Sequence, residues 1–159
     1  MIVRKIGLVC LVGTLLCAPP LEAMSGDSHK ISGEFEVSLT SKENDALRKT
    51  GVNSMMIEKL YHGPLRGSAK GLMIAARGQE KGSAGYVAME RVSATLEGKT
   101  GYFTLQHSGT MAGGNQSLII NVVPDSGSGD LQGIAGAMKI RVEDGKHYYD
   151  FEYWFAAQP

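Results

Sequence analysis

Glu90 and His107 are the residues of this chain best placed to do chemistry, because the sequence around them sets both on one face of a β-hairpin. Between Met89 and Gly109, apolar and polar residues alternate on either side of Gly98-Lys99. Glycine first in a two-residue loop suits a type II′ turn. In that register Glu90 faces His107, Val92 faces Leu105 and Ala94 faces Phe103, while Arg91, Ser93 and Thr95 face Gln106, Thr104 and Tyr102. One face is thus apolar except for a single acid–imidazole pair. Burial raises the pKa of such an acid and lowers that of the imidazole, and their mutual attraction opposes both shifts. The pair could transfer a proton or orient a polar group of a ligand. The plainer alternative is a hydrogen-bonded structural pair that closes the core.

Other candidates are weaker. Tyr149, Phe151, Tyr153 and Phe155 alternate with Asp150, Glu152 and Trp154, so the last strand presents an aromatic face that either packs the core or, with Phe103 and Leu105, lines a pocket. Lys59 lies beside Tyr61, and the expectation for such a lysine is an outward, solvated position. His29, His62, His107 and His147 lack the close spacing of metal ligands, so no metal and no cofactor are expected. Ser108 has no G-x-S-x-G elbow around it. Ser126-Gly-Ser-Gly129 precedes no helix and reads as a turn.

The elements that must position these residues are strands. Ile31, Gly33, Phe35, Val37 and Leu39 alternate with polar residues. A polar stretch from Thr40 to Asn53 predicts a loop with one helical turn. A strand over 54–62 follows, with either Met55, Ile57, Lys59 and Tyr61 or Met56, Glu58, Leu60 and His62 inward. Further strands fall at 67–77, 85–96, about 100–109, 116–123, 137–142 and 146–155, with Pro124 ending one and Glu143-Asp144-Gly145 turning another. Eight short strands with glycine at most turns and no convincing helix predict an all-β fold, an eight-stranded antiparallel β-barrel in a single domain over 31–156. Closure removes exposed sheet edges and leaves an interior that is filled by side chains or holds one small ligand.

The first residues read as a signal peptide over 1–23. Arg4 and Lys5 precede an apolar run from Ile6 to Ala18, and Leu21-Glu22-Ala23 ends in a small residue suited to cleavage. Leu16 before Cys17 disfavours a lipoprotein site. The run is too short for a membrane-spanning helix, so no membrane insertion is expected after cleavage. Residues 24–30 are a polar lead-in. About 136 residues then remain, enough for one core. Both cysteines, Cys10 and Cys17, fall in the leader, so disulfides and thiolate chemistry are not expected of the mature chain. A periplasmic or secreted location follows from the leader. Formal net charge is zero and no basic block lies beyond the leader, which argues against nucleic acid as a partner.

Several spaced motifs resemble a known family. They are Glu90-Arg91, Leu96-x-Gly98-x-x-Gly101-x-Phe103, Leu105-Gln106-His107-x-Gly109 and Val122-Val123-Pro124-x-Ser126-Gly127-x-Gly129-x-Leu131-x-Gly133. Lys59-x-Tyr61-x-Gly63-x-Leu65-x-Gly67 fits too, with Pro64 in place of an acidic residue. Together they resemble the bacterial domain of unknown function 3224. That resemblance implies a barrel similar to that of allene oxide cyclase and covers roughly Ile31 to Phe155. It implies no settled activity, because sharing a barrel does not transfer chemistry.

The expectation is therefore a barrel that binds a small, mostly apolar molecule, with Glu90 and His107 fixing one polar group. Two alternatives stand beside it. One is a cyclase- or isomerase-like enzyme using the same two residues as acid and base. The other is a filled structural or interaction barrel without ligand. The oligomeric state is left open.

Overall fold

Alternation of inward apolar and outward polar side chains is carried through nearly every strand of the computed structural model, which describes residues 27–156. The predicted leader and its cleavage after Ala23 lie outside these residues. The strands are β1 (His29–Lys42), β2 (Val52–His62), β3 (Leu65–Arg77), β4 (Ala84–Leu96), β5 (Lys99–Ala112), β6 (Asn115–Val122), β7 (Ser128–Gly129), β8 (Ile134–Glu143) and β9 (Lys146–Phe155). The loop after β1 contains one helical turn, α1 (Asp45–Arg48), capped by the Asn44 side chain accepting from the Leu47 N–H. Among the described residues no helix is long and apolar enough to cross a membrane.

All pairings are antiparallel and run β4-β3-β2-β1-β9-β8-β6-β5, with β5 returning to β4. Eight strands close into a barrel. The ninth, β7, is a two-residue bridge against Gly101-Tyr102 on β5, formed inside the glycine-rich loop. Closure is uneven. Ladder β3–β4 runs from Leu65–Leu96 to Arg77–Ala84, but β6 and β8 pair only at Ile120–Met138 and Asn121–Ala137. Strand β1 likewise leaves β9 after Phe35–His147 while continuing beside β2 as far as Lys42. The barrel is therefore narrow-seamed and open at the end where β3 finishes and β4 begins.

The middle and opposite end are packed. Tyr61, Leu65, Val92, Leu96, Phe103, Leu105, Leu131 and Tyr149 are fully buried, and Phe103 stacks on Phe151. Three polar residues among those described are buried with them, Lys59, Glu90 and His107, while Ser54 is buried on the opposite face of β2, where its hydroxyl donates to the Lys42 carbonyl.

Candidate functional site

The β4–β5 hairpin turns one residue earlier than its sequence predicts. Leu96 pairs with Lys99, so the loop is Glu97-Gly98. Both residues have positive φ, 46° and 88°, as a type I′ turn requires and a type II′ turn at Gly98-Lys99 does not. Glu97 is held in this unfavourable conformation at both ends. Its N–H donates to the Pro64 carbonyl at 2.9 Å, and its carboxylate accepts from the Tyr153 hydroxyl. The register changes accordingly: Glu90 lies opposite Leu105, and His107 opposite Ala88. That is a shift of two residues, which preserves the face of every side chain. Glu90 and His107 remain inward as diagonal neighbours.

Lys59 is inward as well, contrary to the solvated position expected for it, and its side chain is 5% exposed. Strand β2 buries Ile57, Lys59 and Tyr61 and exposes Glu58, Leu60 and His62, which settles its inward face. The Glu90 carboxylate explains the buried lysine. Lys59 Nζ donates to Glu90 Oε1 at 2.8 Å, and the Tyr61 hydroxyl donates to the same oxygen at 3.1 Å. Lys59 Nζ also lies 5.0 Å from the centre of the Phe35 ring. Small residues on the strand between them make room. Ala69 separates Lys59 from Val92, and Gly71 sits opposite Glu90, where a Cβ would come within 2.7 Å of Glu90 Cα.

His107 Nε2 approaches Glu90 Oε1 to 3.2 Å but without the alignment of a hydrogen bond. Glu90 Oε2 is buried and has no partner among the described residues. Burial pushes the Glu90 carboxyl upward, yet the nearness of His107 and the Lys59 ammonium together outweigh it. The net effect holds Glu90 below its ordinary value of 4.5 and so ionised. Burial and the adjacent Glu90 charge push the Tyr61 hydroxyl well above its ordinary range.

The aromatic candidates take structural positions. The Tyr149 hydroxyl accepts from the Leu65 N–H at 3.1 Å and lies 3.1 Å from the His62 carbonyl, pinning the β2–β3 connection to β9. Tyr153 reaches the Glu97 turn. Phe103 and Leu105 lie in the packed centre.

Open space lies at the other end. A cavity of about 740 Å³ is walled by Leu39, Met55, Met73, Ala75, Tyr86 and Met111, with Ser41, Asn53 and Arg77 among its polar members. Its lining does not include Glu90, Lys59 or His107. Tyr86 connects the two regions. It is two inward positions from Glu90 along β4, its ring lies over Gly109 where a Cβ would clash with it, and burial together with the Glu90 charge raises its pKa. Sequence reasoning did not single out Tyr86. The signal in the sequence was Gly109, a strand glycine that marks a place where something large crosses the sheet, but the predicted register set Tyr86 opposite Met111, and only the observed one pairs it with Gly109.

The family described as "Protein of unknown function (DUF3224)" matches residues 31–153. The chain belongs to the DUF3224 family. A solved structure from Shewanella oneidensis MR-1, itself described as a DUF3224 protein with unknown function, has 40% sequence identity and a TM-score of 0.78. The match covers 83% of this chain and 100% of that one. No curated protein matches. DUF3224 membership agrees with the family resemblance of the spaced motifs and brings no activity with it. Among the described residues no group of three or more His, Cys, Asp or Glu could hold a metal ion. The chemistry this DUF3224 barrel offers is therefore an apolar cavity at one end, and beneath it a buried, ionised carboxylate with one oxygen unengaged.

Proposed function

We propose that this DUF3224 barrel is an exported binding protein for a small, mostly apolar molecule seated at the open end of the barrel. The observation that carries the reading is the cavity against β1–β5, whose walls are chiefly methionine, aliphatic and aromatic side chains on inward positions. Its volume falls in the range of about 300–1,000 Å³ found for small-ligand sites. Methionine side chains adapt to irregular shapes, which suits a pocket whose occupant is apolar. Glu90 supplies the polar anchor. Its unengaged Oε2 accepts a hydroxyl or N–H of a ligand that reaches past Tyr86, and His107 stands beside it.

An acid–base role for Glu90 and His107 has less support. A general acid at neutral pH needs a carboxyl whose pKa is raised, and Glu90 is held in the opposite direction by Lys59 and His107. Native mass spectrometry of the protein purified without detergent tests the binding reading. The expected result is an added mass released on mild activation and diminished in Met73→Trp, whose larger indole would narrow the cavity. A clean apo mass after exposure to a cell extract overturns it.

A further inference from the structure

The cavity at the open end changes character from its mouth inward. Strands β1 and β3 finish there and β2 begins there, and the inward positions at those strand ends are Ser41, Asn53 and Arg77, all exposed. Each shares its face with a buried residue deeper on its own strand: Ser41 with Phe35, Asn53 with Ile57 and Arg77 with Ala69. Two residues further in, the same strands offer Leu39, Met55 and Ala75 to the cavity, and Met73 lies two beyond Ala75. The mouth is therefore polar and the body apolar. Arg77 is the one charged residue of the lining, which contains no carboxylate. Arg48 and Arg141 are ion-paired and Arg91 lies over the Tyr102 ring, but among the described residues no carboxylate comes within 4.0 Å of Arg77.

We infer that the guest is an amphiphile with one anionic end, seated tail-first, its anion at the mouth on Arg77 and its apolar body against the methionines. The inference rests on the binding reading above and adds the charge of the ligand and its direction. A guanidinium presents paired N–H donors that match a carboxylate, and Ser41 and Asn53 supply neutral hydrogen-bonding groups at the same mouth. The reverse seating is unfavourable. Glu90 is already balanced by Lys59 at 2.8 Å, so an anion carried inward would be buried beside a carboxylate with no counter-charge of its own. A neutral hydroxyl or N–H suits Glu90 Oε2, and the charge stays outside. A cationic end at the mouth would meet Arg77 and no acid. From Arg77 to Met73 the wall runs four residues along β3, about 13 Å at about 3.3 Å each, which accommodates an extended alkyl chain of about ten carbons.

Calorimetric titration with decanoate, decanol and decylamine, each below the concentration at which it aggregates, tests the inference on the wild type, Arg77→Gln and Arg77→Glu. Arg77 is exposed at the last position of β3, so both variants are expected to fold, and far-ultraviolet circular dichroism checks this. Decanoate is expected to bind the wild type most tightly of the three. Arg77→Gln should weaken decanoate about fivefold, the scale of an ion pair at an exposed rim, and leave decanol unchanged. Arg77→Glu should make decylamine the tighter binder. Decanol or decylamine binding the wild type as tightly as decanoate overturns the inference and leaves the binding reading standing. So does a decanoate affinity that Arg77→Gln leaves unchanged. Failure of all three to bind overturns both.

Discussion

Lys59 Nζ lies 2.8 Å from Glu90 Oε1, and the two side chains are 5% and 0% exposed. A buried ion pair of this kind costs much desolvation, and removing one partner strands the other. Glu90→Leu and Lys59→Met are each expected to destabilise the fold by about 3–5 kcal/mol, while the double variant Lys59→Met/Glu90→Leu recovers most of that loss. Urea unfolding of the four proteins measures this. Additive losses in the double variant would show that the pair is uncoupled.

The depressed Glu90 pKa fixes the sign of an acid dependence. Because the folded value lies below the ordinary 4.5, the ionised form stabilises the fold, fully so above that value. That contribution disappears as pH falls from 4.5 through the folded value. Stability of the wild type is expected to decline more steeply below this point than that of Lys59→Met/Glu90→Leu. Thermal melts across the acid range decide it, and parallel curves would exclude Glu90 as the cause.

Tyrosine ionisation should split into groups. Burial raises Tyr61, Tyr86, Tyr149 and Tyr153, joined by Glu90 at Tyr61 and Tyr86 and by Glu97 at Tyr153. Tyr102 is lowered by Ser128 and by the Arg91 guanidinium, which lies 3.4 Å from its ring centre. In an alkaline near-ultraviolet titration, Tyr102 is expected to ionise before these four. The raised groups stabilise the fold fully below their ordinary value of 10.0 and progressively less above it, so their ionisation should coincide with alkaline unfolding. Reversible ionisation of all four in the folded protein would contradict the burial assigned to them.

Gly71→Ala tests the space beside the carboxylate. The added methyl meets Glu90 Cα and Cβ at 2.7 Å and cannot be absorbed by a flexible side chain. A loss of roughly 1–3 kcal/mol is expected from overpacking. The same substitution at Gly82, in a loop with nothing within 4 Å but at φ 86°, should cost about 1 kcal/mol through backbone strain alone. Equal losses at the two positions would mean that the crowding at Gly71 is relieved elsewhere.

Most strands were legible because alternation is a local signal: Ile31, Phe35 and the series Tyr149, Phe151, Tyr153 each show it within a few residues. The shared face of Glu90 and His107 was legible for a subtler reason. Parity survives a two-residue change of register, although the opposed partner and the turn type do not. The turn itself was misplaced because Glu97 has no intrinsic liking for positive φ; remote contacts with Pro64 and Tyr153 hold it there. Lys59 was missed for a similar reason. Its counter-charge lies 31 residues away across an intervening strand, and nothing local distinguishes it from a solvated lysine. The cavity depends on where ladders stop, which is a property of pairs of strands rather than of any one segment.

The short ladder between β6 and β8 has a consequence for motion. Two residue pairs join those strands, against thirteen between β3 and β4, so separating the wall there sacrifices the fewest backbone hydrogen bonds. Breathing of the cylinder is expected to concentrate along that line, with the amides of Ile120 and Met138 exchanging with solvent sooner than those of Ala69 and Val92 in a hydrogen-exchange measurement. Opening it would unroll the barrel into a curled sheet without breaking β1–β5, leaving the methionine-lined wall intact.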